Sequence, residues 1–173
     1  MAGATRFTDL TVWQRMHELN LEIWKATTRA PAGRDFRFAN QLRDAADSAE
    51  RNVAEGFGRY NPIEFARFLD ISRASALEAQ TLLRKGREVG YWSKDEFGRL
   101  DALALRGLQA VAKLQRYLRS PQARRNAARR YSSRPRNDPN VNDPNVTNDP
   151  NDPNGPNGPN GPNGPNGPNG PNE

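Results

Sequence analysis

The chain has 173 residues, enough for one domain with a hydrophobic core, and it carries 26 Lys and Arg against 20 Asp and Glu. It contains no cysteine and one histidine, which excludes disulfides, thiolate metal sites, cysteine nucleophiles and a histidine-rich metal site within one subunit. No apolar run approaches the roughly 20 residues that a membrane span needs, and no apolar leader opens the sequence, so we expect a cytoplasmic protein without membrane association.

The charge divides the chain into three predicted parts. Residues 1–120 hold 20 Lys and Arg against 15 Asp and Glu, which predicts a mildly basic folded body. Residues 121–137 hold six arginines and no acid, and we interpret them as a basic linker, or as a frayed extension of the last helix. Residues 138–173 repeat Asn-Asp-Pro and then Asn-Gly-Pro, which lack core-forming side chains and are therefore expected to be disordered.

The first helix of the body is predicted to start after Thr8 as its N-cap, with Phe7 and Val12 forming a hydrophobic staple, and to end before Pro31. Its apolar positions recur with helical period. The residues expected to be buried are Val12, Trp13, Met16, Leu19, Ile23 and Trp24.

A second helix is predicted from about Phe38 to Glu55. Its apolar positions fall within a sector of about 100°. Because three of them are alanines, we expect a neighbouring helix to approach closely. The sector contains Phe38, Leu42, Ala45, Ala46, Ala49 and Val53.

The third helix has strong start and stop signals. Asn61 is the predicted N-cap, with Pro62 at the first helical position and Glu64 completing a variant capping box. The helix is expected to run to about Glu88 and stop at Gly90. Because it is apolar around most of its circumference, we predict that it carries a second interface and that the protein self-associates.

The fourth helix is predicted from Lys94 to Leu118, with Ser93 and Glu96 as a capping box and Pro121 as its end. Its predicted apolar stripe comprises Phe97, Leu100, Leu103, Leu108, Val111, Leu114 and Leu118. Four long helices with short connections favour an all-α fold, the antiparallel up-down-up-down four-helix bundle.

The Gly56-Phe57-Gly58-Arg59 stretch is compatible with three interpretations: a phosphate-binding loop, a catalytic corner or a bend between helices. A dinucleotide fingerprint needs a preceding strand and a third glycine, and Asn61 stands where that glycine belongs. We therefore predict that Gly56 and Gly58 end the second helix and permit a bend.

Several polar residues lie at the edges of the predicted apolar faces. One hypothesis makes Glu55 and Glu78 a general acid and base, but no histidine or nucleophile accompanies them. We favour a structural polar network and predict neither enzymatic activity nor a cofactor. Its predicted members are Ser48, Asn52, Glu55, Ser75 and Glu78.

Arginine outnumbers lysine 22 to four, which suits bidentate contacts to phosphate and stacking on bases. The alternative is a solvated surface whose arginines pair with scattered acids. The candidate nucleic-acid-binding residues are Arg43, Arg51, Arg59, Arg73, Arg84, Arg87, Arg124, Arg125, Arg129 and Arg130, with Arg134 and Arg136 further along the linker.

Four stretches carry a family resemblance: FTDLTVWQRMHEL, FANQLRDAADSAERNVAEGFGR, IEFARFLDISRASALEAQTLL and VGYW, of which the run from Gln41 to Gly56 is the most specific. Over about Phe7 to Leu118 the chain resembles the bacterial four-helix-bundle proteins encoded in intervening sequences of large-subunit ribosomal RNA genes. It departs from them at Ala74, where the family usually has glycine, and in its long Asn- and Pro-rich tail.

That resemblance implies an antiparallel bundle that assembles as a homopentameric ring without known enzymatic activity. It also implies a fold similar to the accessory protein of diversity-generating retroelements, whose basic surface engages nucleic acid and a reverse transcriptase. We expect a non-enzymatic oligomer that binds RNA or DNA through its arginines, with a protein-interaction adaptor as the alternative.

Overall fold

The computed structural model describes residues 4–59 and 61–132, except for the side chains of 129–132. Its α-helices are α1 (Thr11–Thr27), α2 (Phe36–Gly58), α3 (Pro62–Glu88), α4 (Lys94–Leu118) and α5 (Pro121–Ser132), with single 3-10 turns at Phe7–Asp9 and Ala32–Arg34. These described residues contain no strand, which confirms the all-α prediction. The tail predicted over 138–173 lies outside them, as do residues 133–137 of the predicted linker.

Helices α1 to α4 close a ring of contacts, in which α2 packs against α1 and α3, and α4 packs against α3 and α1. The hydrogen bonds between α3 and α4 show their direction: Gln80 donates to Asp101 near one end, and Gln115 donates to Asp70 near the other. These neighbours are therefore antiparallel, and the predicted up-down-up-down bundle is confirmed. The centre of the core is formed by Met16, Leu19, Ile23, Leu42, Val53, Leu69, Leu83 and Val111, all 0% exposed.

The start of α1 differs from the prediction. Thr8 lies in the 3-10 turn, and α1 begins at Thr11 with Leu10 in the N-cap position. Phe7 packs edge-on against Trp13, with the ring centroids 5.2 Å apart, rather than forming the predicted staple. The turn arises because the Asp9 carboxylate accepts a hydrogen bond from the Arg6 backbone N–H at 3.0 Å, which competes with continuing the helix.

The predicted N-cap residues of α3 and α4 are confirmed, whereas Glu64 does not complete the predicted capping box of α3. Asn61 accepts a hydrogen bond from the Ile63 N–H at 2.9 Å, with Pro62 at the first helical position. Ser93 and Glu96 form a reciprocal capping box at the start of α4. Gly90 follows the end of α3 with a φ of +82°, the left-handed conformation that favours glycine.

Asp35 starts α2 two residues earlier than predicted. Its Oδ1 accepts a hydrogen bond from the Phe38 N–H at 3.0 Å, and its Oδ2 accepts one from the Tyr91 hydroxyl at 2.7 Å. Both hydrogen bonds lower the pKa of Asp35, and the one from the Phe38 backbone has the larger effect. This aspartate therefore connects the start of α2 to the loop between α3 and α4.

Gly56 and Gly58 were together predicted to end α2, and this prediction is confirmed for Gly58 and wrong for Gly56. The helix continues to Gly58, and Gly56 is buried within it. A Cβ atom at Gly56 would lie 2.5 Å from Phe65 Cδ2 and 2.8 Å from Phe68 Cβ, both on α3. The absence of a side chain at Gly56 is therefore what lets α2 and α3 approach each other, as the three alanines of α2 also indicate.

We expect the substitution Gly56→Ala to lower the free energy of unfolding by about 1–3 kcal/mol, because the added methyl group overlaps Phe65 and Phe68. Gly58→Ala is the matched control, since a Cβ atom there meets nothing within 4 Å and alanine favours the helix. Urea denaturation followed by circular dichroism measures both. Equal stability of the two variants would contradict this account of the α2–α3 contact.

Candidate nucleic-acid interface

The most basic described segment is α5, which forms from the start of the predicted linker. It begins at Pro121, and the Ser120 hydroxyl accepts a hydrogen bond from the Ala123 N–H at 3.3 Å. Ala123 is 3% exposed and is the one buried residue among 121–128, whereas Arg124 and Arg125 are exposed. A helix that buries so little apolar surface presents most of its circumference to solvent.

The start of α5 lies beside a firm junction between α3 and α4. Arg119 donates two hydrogen bonds to the Asp70 carboxylate, at 2.9 and 2.7 Å, and Gln115 donates a third at 2.7 Å. The Arg119 Nη2 atom thus contacts both carboxylate oxygens and, together with Gln115, connects the end of α4 to α3. Arg119 is consequently engaged within the bundle, whereas the neighbouring Arg116 is exposed and has no carboxylate partner among the described residues.

Arg43 is a structural residue. Its Nε donates to Thr27 Oγ1 at 2.8 Å, its Nη2 donates to the Thr27 carbonyl at 2.9 Å, and its guanidinium carbon lies 4.3 Å from the Trp24 ring centroid. Thr27 is the last residue of α1 and is 0% exposed. Arg43 therefore caps the end of α1 from α2 and covers one face of an otherwise exposed tryptophan.

Three other predicted arginines also contact the bundle. Arg51 lies within 3.6 Å of Asp47 and 3.9 Å of Glu55, and Arg84 lies within 3.8 Å of Asp101. The Arg59 guanidinium lies 5.1 Å from the Phe68 ring centroid. The ion pairs of Arg51 and Arg84 are solvent-exposed, and such pairs contribute little to stability.

The remaining predicted arginines differ in their surroundings. Arg73 and Arg87 are exposed on α3, and within the described part of the chain neither has a carboxylate partner. Arg125 donates to Gln122 at 3.2 Å, and Arg124 is exposed. Arg129 and Arg130 belong to α5, but their side chains lie outside the described residues, as do Arg134 and Arg136 entirely.

The candidate arginines do not form one continuous patch. Arg43, Arg84 and Arg87 belong to the end of the bundle where α1 and α3 finish, whereas Arg59 and the arginines of α5 belong to the opposite end. Residues 113–128, which include the last turn of α4 and most of α5, contain no acid, although the Asp70 carboxylate of α3 pairs with Arg119 beside them. We therefore take α5 and the last turn of α4 as the candidate interface.

The predicted polar network is smaller than expected. The hydroxyls of Ser48 and Ser75 are 2.9 Å apart, and Asn52 Nδ2 donates to the Ser48 carbonyl at 2.8 Å. Glu55 and Glu78 are exposed and lie outside this network, which corrects the prediction for both.

Sequence reasoning missed the buried hydroxyl that completes the α2–α3 contact. Ser72 is 0% exposed and donates to the Ala49 carbonyl at 2.7 Å. The sequence does contain a signal for Ser72. It lies three residues after Leu69 and four before Ala76, a helical spacing that places it on the core face.

A second cluster of polar side chains, which the sequence analysis did not predict, joins α1 to α2. Asn20 Nδ2 donates to Asp47 at 3.0 Å and to Glu50 at 2.7 Å, and His17 Nδ1 lies 2.9 Å from Glu50. His17 also stacks on Trp13, with the ring centroids 4.6 Å apart. The described residues nevertheless contain no group of three or more His, Cys, Asp or Glu side chains arranged to hold a metal ion.

Arg43→Lys should lower the free energy of unfolding by about 1–3 kcal/mol, because lysine cannot reproduce two hydrogen bonds to Thr27 while stacking on Trp24. Arg51→Lys, which alters only exposed ion pairs, should change it by less than about 0.5 kcal/mol. Urea denaturation midpoints of the two variants check this. A stability of Arg43→Lys equal to that of the unsubstituted protein would show that the contact is incidental.

None of the long helices in the described ranges is apolar enough to cross a membrane. No curated protein sequence matches the chain. The family described as 23S rRNA-intervening sequence protein matches residues 8–112, which include α1 to α3 and most of α4. The match covers more than half of the chain, and the antiparallel bundle agrees with the fold that the sequence resemblance implies. The chain therefore belongs to the 23S rRNA-intervening sequence protein family.

Proposed function

We propose that this protein is a non-enzymatic, self-associating four-helix bundle that binds RNA through an arginine surface centred on α5. The observation that carries the proposal is α5 itself, a helix with four arginines and no acid, of which Ala123 alone is buried among 121–128. The family name refers to an intervening sequence of 23S rRNA, which makes fragments of that RNA the natural first ligands to test.

The positive charge of α5 is not offset by any acidic residue within the helix. Arg125 and Arg129 are four residues apart in sequence, a spacing at which like charges destabilise an isolated helix by about 0.2–0.5 kcal/mol. A polyanion removes this repulsion and gains bidentate contacts from each guanidinium. Phosphate binding also releases condensed counterions, so affinity should depend strongly on salt.

Self-association is supported by α3. Ile71 is 50% exposed and Leu77 is 39% exposed, with the exposed Ala74 midway between them. Other faces of α3 already pack against α2 and α4, so this apolar strip faces away from the bundle. A ring of copies, which the family resemblance implies to be a pentamer, would repeat the basic helix and raise its avidity for a long RNA.

The same apolar strip favours a second function, that of an adaptor which docks a protein partner and does not bind nucleic acid directly. A complex that survives nuclease treatment and high salt would favour the adaptor, since apolar contacts are insensitive to both. RNA binding by the purified protein would favour the first function.

The double substitution Arg124→Gln/Arg125→Gln should weaken binding of a structured 23S rRNA fragment by about tenfold or more. It should also reduce the salt slope, the magnitude of the slope of log binding constant against log salt concentration, by about two. The control is Arg15→Gln/Arg51→Gln, which removes the same number of positive charges. It removes them from arginines that already pair with acids on the surface of α1 or α2. Fluorescence anisotropy from about 50 to 300 mM salt measures both variants. Weak, salt-insensitive binding by the unsubstituted protein would refute the proposed function.

Ile71→Glu should dissociate the oligomer, because it places a charge in the apolar strip. Light scattering after size exclusion should then change from a multiple of the 19.3 kDa chain to a single chain. Leu105→Glu is the control, since Leu105 is 49% exposed on α4 and lies outside the strip. A monodisperse monomer for the unsubstituted protein at micromolar concentration would refute self-association.

A further inference from the structure

We propose that Tyr117 is a stacking platform for an unpaired base, so that the α4–α5 corner binds a single-stranded segment of nucleic acid in preference to a duplex. This inference rests on the proposed function and specifies the form of the ligand. Tyr117 lies in the last turn of α4 and is 47% exposed.

The ring of Tyr117 is held in place although it is exposed. Its hydroxyl accepts a hydrogen bond from Asn126 Nδ2 at 3.2 Å, and Asn126 Oδ1 accepts one from Gln122 at 3.1 Å. Gln122 Oε1 in turn accepts a hydrogen bond from Arg125 at 3.2 Å. This chain of hydrogen bonds runs from the basic helix to the tyrosine, and it reduces the entropy lost when a ligand orders the ring.

The charge around Tyr117 suits a nucleic-acid backbone. Lys113 lies one helical turn before it and Arg116 immediately before it, and both are exposed. Arg124 and Arg125 lie on the adjoining helix, and no acidic residue occurs between positions 113 and 128. A base stacked on the ring would thus have cationic side chains nearby for its flanking phosphates, the combination by which proteins bind single strands.

The other exposed aromatic residues whose side chains the structure describes lack this combination. One face of Trp24 is covered by the Arg43 guanidinium, and Phe7 packs against Trp13. Phe36 is 75% exposed but has no polar group to orient its ring. Tyr117 therefore joins a fixed, exposed aromatic ring to an arginine-rich helix.

A duplex keeps its bases stacked on one another, so it cannot place one on Tyr117 without unpairing it. Removing an aromatic platform typically weakens single-strand binding by about 5- to 100-fold for each base. Stacking alone does not distinguish RNA from DNA, because every base has an aromatic face.

The experiment compares the full-length protein with Tyr117→Leu and Tyr117→Trp by fluorescence anisotropy. The probes are a mixed-sequence single-stranded RNA of about 20 nucleotides, the same strand as a duplex, and the single-stranded DNA of that sequence. Tyr117→Leu should weaken single-strand binding by about 5- to 100-fold and leave duplex binding and the salt slope unchanged. Tyr117→Trp should bind single strands at least as tightly as the unsubstituted protein.

Phe36→Leu is the matched control, because it removes a more exposed ring at the opposite end of the bundle and should leave single-strand affinity unchanged. Equal losses for RNA and DNA support base stacking as the shared interaction, and a loss confined to RNA supports a site that also recognises ribose. If Tyr117→Leu binds single strands normally while Arg124→Gln/Arg125→Gln weakens binding of the structured fragment, this inference is overturned and the proposed function stands. If the unsubstituted protein binds none of the probes or the fragment, both are overturned.

Discussion

The close approach of α2 and α3 is the constraint on which the rest of the structure depends. Gly56, Ala45, Ala46 and Ala49 are buried on α2, so the two backbones pack with little side chain between them. Close packing gains dispersion energy but leaves no room for large polar groups, and the polar atoms at this contact belong to small side chains such as Ser72. The rest of the ring, α1 and α4, closes around this pair.

This packing separates structural arginines from those available to a partner. Arg43 and Arg119 each make two hydrogen bonds that connect one helix to another, so their charge is used within the bundle. Arg124 and Arg125 extend from a helix that contributes one buried alanine to the body. A count of arginines therefore overstates the surface available to phosphate, whereas the hydrogen-bond partners identify where that surface lies.

The proposed role of α3 lies on a different set of residues from the role proposed for α5 and Tyr117. The apolar strip of Ile71, Ala74 and Leu77 belongs to the middle of α3, and the basic helix follows the end of α4. Several copies acting on one strand would give strong binding from individually weak contacts.

Local signals in the sequence determined the helices and their order. Asn61 with Pro62, and Ser93 with Glu96, satisfy backbone groups within three residues of themselves, so their role is visible without knowledge of the fold. The periodic apolar positions determined the all-α bundle for the same reason, since a helix face follows from spacing alone.

Tertiary structure alone decided the roles of Gly56, Glu55 and Arg43. A glycine near a helix end fits a bend as well as a close contact, and only the position of Phe65 on α3 distinguishes them. Glu55 lies at the edge of an apolar face, where the distance between helices determines whether a side chain is enclosed or turned outward. Arg43 acquires a structural role because the end of α1 lies beside it, sixteen residues away in sequence. Such roles depend on distances between segments that are remote along the chain, which spacing within one segment does not specify.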